Sequence, residues 1–160
     1  MDKLRRVTSP EIDRLTGYLA AAQHAFIKAQ YDVSLDASVF EIADASVTDE
    51  DVLTAAYDGF NPVEHRAECS LEAMVARIHE VLQLPRRMWA ADFCGIPGIV
   101  EERLRDGYWS HVRACFDFGN SRIVELGWHV PFVNIGVGFC FIMYASDMRR
   151  CMLLVGNVSD

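Results

Sequence analysis

Cys69, in "AECSLEAMVARIHEVL", is the residue of this chain whose type and place come nearest to a covalent catalytic nucleophile. The pattern predicts a helix capped by Ser70, which sets the Cys69 thiol beside unpaired backbone N–H groups that favour a thiolate. His129, in "GWHVPFV", is the base such a thiol would need, at the start of a strand. Cys94, in "DFCGIPG", is a second thiol at a strand end, but no parallel sheet is indicated that would give that position meaning. His65 and Cys69 stand four apart, near the spacing of two metal ligands on one helix. His79 lies about three turns further on and no second close pair follows, so no metal site is expected. Neither "GIPG" nor "NIGVGF" has the spacing of a dinucleotide-binding loop, and no cofactor is expected. Gly136 and Gly138 read instead as a bulge or tight strand turn.

A Cys at a helix start followed by a His on the sheet resembles the order in papain-like NlpC-type hydrolases, over those two elements alone. Leu71 stands where a Gly usually follows the "CS" of such sites, and no third polar residue completes the set. The resemblance implies a Cys–His hydrolase or transferase using Cys69 and His129, an alternative to the reading that charge favours.

That reading starts at "SVTDEDVLTAAYDGF", residues 46–60, which carries four carboxylates and no Lys or Arg. Between Lys28 and Arg66 stand Asp32, Asp36, Glu41, Asp44, Asp49, Glu50, Asp51, Asp58 and Glu64, again with no Lys or Arg among them. These nine exceed the net charge of −8, so the rest of the chain is close to neutral. Acids in a helix's first turn complement its dipole, which accounts for Asp49, Glu50 and Asp51. The others need a different reason. Direct nucleic-acid binding is disfavoured, because displacing counterions takes a basic face. A basic partner is favoured by the same charge, since complementarity steers encounter.

The elements that position these residues follow from periodicity. Ser9-Pro10-Glu11 opens a helix from 10 to about 30, with Ile12, Leu15, Leu19, Ala22 and Phe26 as its apolar stripe. Residues 31–47 alternate in part, then reverse phase at Phe40 and Ile42, which suggests a short edge strand or an extended loop. Thr48 with Asp51 forms a capping-box pattern before a short helix ending at Gly59. Ser70 opens a third helix that Pro85 ends, and "MWAADF" reads as a short buried strand. "IVEERLRDG" reads as a short helix with Gly107 at its C-cap.

From 109 the apolar period becomes two, with Val112, Ala114, Phe116 and Phe118 on one side, and "GNS" turning into "RIVELGWHV" as a hairpin. "FVNIGV" suggests a further strand. "FCFIMYA" and "CMLLVGNV", apolar on both faces, read as central strands around the polar tip "SDMRR". Tyr108, Trp109, Trp128, Phe132 and Phe139 cluster in this region and read mainly as core.

The expected architecture is a single α+β domain over 1–160, a helical N-terminal half packed on a C-terminal antiparallel sheet of about four strands. Five widely spaced cysteines without a CxxC pair point to a reducing cytoplasm. No run reaches the length of a membrane helix and the N-terminus lacks a signal-peptide core. The functional expectation is a small acidic cytosolic binding or inhibitor protein, like toxin-immunity proteins and phage inhibitors in charge and size. It docks Asp36, Glu41, Asp44, Asp49, Glu50, Asp51 and Asp58 on a basic protein or nucleic-acid-binding protein, without direct nucleic-acid or membrane contact. A further alternative is a ligand-binding or self-associating α+β domain, as a homodimer.

Overall fold

A computed structural model describes residues 3–28, 32–59, 65–88, 98–127 and 136–159. Among the described residues, six strands and four helices follow in the order β1 (Leu4–Arg6), α1 (Pro10–Lys28), β2 (Asp32–Ile42), α2 (Asp49–Ala56), β3 (Arg66–Cys69), α3 (Leu71–Met88), α4 (Gly98–Cys115), β4 (Arg122–Leu126), β5 (Gly136–Tyr144) and β6 (Arg150–Ser159). The strands form one antiparallel sheet in the order β1-β2-β6-β5-β4-β3. The α+β class is as expected, with six strands rather than four. β1 and β3, three and four residues long, are too short to show a period.

Both faces of the sheet are buried. On one, α1, α3 and α4 supply Leu15, Leu19, Phe26, Met74, Ile78, Trp109 and Val112 against Val33, Leu35, Phe141, Met152 and Leu154. On the other, Val52 and Leu53 of α2 join Phe40, Ile142, Tyr144, Cys151 and Leu153. Burial on both sides is why β5 and β6 read as continuous apolar runs. They form the expected hairpin, Tyr144 opposite Cys151.

β2 corrects the reading of residues 31–47. It is a long interior strand, hydrogen-bonded to β1 on one side and β6 on the other. The phase reversal at Phe40 is the strand's second face turning apolar where α2 covers it. Val39 packs with the three-helix layer and Phe40 with α2.

α4 is the larger correction. Residues 109–115 are helical, where a period of two suggested a strand. The buried Tyr108, Trp109, Val112, Cys115 and Phe116 fall at helical spacing, and Ala114, which completed the apparent alternation, is exposed. Nor does Gly107 end the helix. A Cβ there would lie 2.8 Å from the Tyr18 ring of α1, whose hydroxyl donates to the Leu104 carbonyl, so glycine permits the α1–α4 approach.

α3 likewise runs through Pro85 to Met88; the proline removes one backbone donor near the helix end without stopping it. Gly136 and Gly138 mark neither bulge nor turn, because the β5–β6 register is unbroken. A Cβ on Gly138 would come within 2.5 Å of the Gly156 carbonyl, so the demand is closeness between strands. The expected strands "MWAADF" and "FVNIGV" lie outside the described residues, apart from Met88 at the end of α3 and Gly136 and Val137 at the start of β5.

Candidate functional site: the acidic segment around α2

Topology places the acidic segment. β2 lies next to one end of the sheet and β3 forms the other, so the chain between Ile42 and Arg66 must cross the sheet face, and α2 lies on that path. Thr48 closes the helix N-terminus with a complete capping box. Its hydroxyl accepts from the Asp51 N–H at 3.2 Å, and the Asp51 carboxylate accepts from the Thr48 N–H at 2.9 Å. Val52 and Leu53, almost without exposure, anchor the helix, each contributing about 1.5–3 kcal/mol by burial.

The seven carboxylates read as a docking surface divide into two groups. Asp49 is 9% exposed and faces inward. One carboxylate oxygen accepts from the Tyr144 hydroxyl of β5 at 2.5 Å, and the other accepts from the Arg66 guanidinium of β3. The Arg122 guanidinium lies 4.6 Å from the Tyr144 ring centre and reaches Glu68 at 3.3 Å, extending the network to β4. Burial and the Asp49 carboxylate push the Tyr144 phenol far up, and the same carboxylate holds Arg66 firmly charged.

Asp36, half-buried on β2, accepts from the Tyr57 hydroxyl at 2.8 Å and from the Ala37 N–H at 2.8 Å. Glu41 sits between arginines, ion-paired with Arg5 and opposite Arg150 across the ladder. Asp51 adds Lys3, at 3.1 Å, to its capping role. The Thr48 N–H and then Lys3 hold the Asp51 carboxyl below the usual range. The cations absent between residues 28 and 66 therefore arrive from Lys3 just before β1, from Arg5 of β1 and from Arg66 of β3.

Asp44, Glu50 and Asp58 form the second group. All three are exposed, and among the described residues none has an ion-pair partner within 4.0 Å. Asp44 accepts from the Ser46 N–H at 2.8 Å, which holds its carboxyl low, with Lys3 and Asp51 close enough to act on it. Asp44 precedes α2, Glu50 stands in its first turn and Asp58 follows its C-cap, so the three lie on the helix and its flanking turns.

Cys69 is the last residue of β3, directly before the Ser70 cap, whose hydroxyl accepts from the Ala73 N–H at 3.1 Å. Burial and Glu125 push its thiol up, the opposite of activation. His65 and Cys69 are not on a helix: they span β3, about 13 Å of extended chain, so they cannot share an ion. Among the described residues no group of three or more His, Cys, Asp or Glu could hold a metal ion, and no helix is long and apolar enough to cross a membrane. Tyr108, Trp109 and Phe139 are buried, the first two on α4 rather than in the sheet. His129, Cys94, Glu64, Trp128 and Phe132 lie outside the described residues.

Sequence reasoning missed Tyr144, Arg66, Arg122 and Tyr57, the residues that turn acids inward. An Asp directly after the N-cap was legible, but nothing local marks the phenol awaiting it 95 positions away.

No family model matches the chain, and no curated relative matches it. Its fold is similar to that of citrus MAF1. For the crystal structure in space group P 31 2 1 the TM-score is 0.57 at 11% identity, over 92% of this chain and 98% of that one. For the structure in space group C 2 2 21 the values are 0.54 and 9%, over 92% and 96%. At such identities the likeness is one of fold.

Proposed function

We propose that this is a small acidic binding protein of the inhibitor type, which docks the face carrying α2 on a basic surface of a protein or nucleic-acid-binding partner. The observation that supports this most is how the acidic segment pairs. Asp49, Asp51, Glu41 and Asp36 are engaged by the fold, while Asp44, Glu50 and Asp58, on one helix and its turns, have no ion-pair partner within 4.0 Å among the described residues. Asp44 receives the Ser46 N–H and Glu50 complements the α2 dipole, but ion pairing with a cation of the described residues holds none of the three. Asp36, Asp49 and Asp51 hold α2 and its C-cap in place, Glu41 ties β2 to β1, and the exposed acids supply the field that meets a basic partner. Asp36, Glu41, Asp49 and Asp51 are thus assigned to positioning, a narrower docking set than composition suggests.

The test is the salt dependence of binding to a basic partner captured from the source organism's lysate with tagged wild-type protein. Exposed charges are screened over about 10 Å at 0.1 M salt, so affinity should fall steeply between 50 and 300 mM, roughly the range where that length becomes shorter than the patch. Binding that is unchanged across this range would reject charge-led docking.

A further inference from the structure

We propose that the contact between His79 and Trp109 is a proton-operated latch joining α3 to α4. The Trp109 indole N–H donates to His79 Nε2 at 2.7 Å, with ring centroids 6.0 Å apart in an edge-on arrangement. An indole nitrogen only donates, so His79 must accept, which requires the neutral imidazole carrying its proton on Nδ1. Protonation replaces the acceptor with a second donor and leaves the indole N–H facing an imidazolium.

Trp109 has little room to seek another partner. It is 6% exposed, and the Tyr108 and Phe118 rings stand edge-on to it at 5.2 and 6.1 Å. Among the described side chains, charged groups reach His79 from both helices. From α4, Arg105 opposes protonation and Asp106 favours it; on α3, Arg77 and Glu80 are paired with each other at 2.9 Å. The sheet beneath α3 presents apolar Ile123, Phe139, Phe141, Met143, Met152 and Leu154.

Burial first, then Arg105, pushes His79 below the ordinary 6.5. A histidine lowered in the fold gives stability that is complete above the unfolded value and is lost as pH falls through the folded one. The latch is therefore closed near neutrality and opens on acidification.

A nitrogen-15 NMR titration of the full chain from pH 8 to 5 tests this, following the Trp109 indole N–H and the His79 ring nitrogens, with amide exchange measured alongside. The two side chains should move together with one midpoint below 6.5, and α3 and α4 amides should exchange several-fold faster below it, after correction for intrinsic rates. In His79→Gln, whose amide oxygen accepts at every pH, the indole signal should stay still. An indole resonance that does not move while His79 titrates would overturn the proposal, as would equal movement in His79→Gln. The wild-type titration decides the matter alone if that variant does not fold.

Discussion

Asp49 joins three elements at one carboxylate, holding α2 to Tyr144 of β5 and Arg66 of β3. Asp49→Ala should cost about 2–4 kcal/mol in chemical denaturation, because it strands a buried phenol and removes an ion pair. Tyr144→Phe should cost only about 1 kcal/mol, since Asp49 keeps Arg66. A loss under 0.5 kcal/mol for Asp49→Ala, roughly the level of an ordinary surface substitution, would remove the node from this account. The capping box at Thr48 and Asp51 was legible, because a cap is a local pattern of four residues. The inward turn of Asp49 was not, since it depends on β5 passing beneath α2. Cys69 illustrates the same limit: its position before a helix was legible, whereas the burial and the Glu125 neighbour that raise its thiol come from packing.

Secondary structure was legible where one face alone meets the core. α1 and the α2 cap are of that kind, and the β5–β6 hairpin was legible because burial of both faces along its length leaves an unbroken apolar run. Where a strand is covered on its second face over only part of its length, or a helix crosses a close contact, local pattern misleads: β2 looked like an edge, and α4 looked like a strand after its glycine. Two glycines separate these causes. Gly107→Ala improves intrinsic helix propensity but drives a methyl into the Tyr18 ring, and should cost about 1–2 kcal/mol. Gly17→Ala, on α1 with nothing within 4 Å of the added carbon, should stabilise by about 0.5–1 kcal/mol. Urea unfolding of the two variants checks the pair, and a stabilised Gly107→Ala would mean that α1 and α4 are not in close contact there.

At the scale of the whole molecule, net charge was legible in composition but its pairing was not, because Lys3, Arg5 and Arg66 lie outside the acidic segment and fold back onto it. Alkaline stability also belongs to this scale. Burial pushes the thiols of Cys140 and Cys151 up to about 12, and the phenols of Tyr57, Tyr108 and Tyr144 higher still. A group raised in the fold gives stability that is complete below its unfolded value and is lost as pH rises toward the folded one. For the thiols that window opens at 9.0 and runs to about 12. The melting temperature should therefore decline steadily from pH 9 upward, and a flat profile to pH 11 would contradict the burial of these groups.

The central claim is that charge the fold does not use is charge that meets a partner. Comparing capture by wild type and by the triple variant Asp44→Asn, Glu50→Gln, Asp58→Asn at low salt tests it most directly, with melting temperatures measured on both. The account predicts an unchanged melting temperature and capture of the basic partner reduced at least tenfold. Equal capture by the two proteins would contradict it and return these three acids to the role of solvated surface.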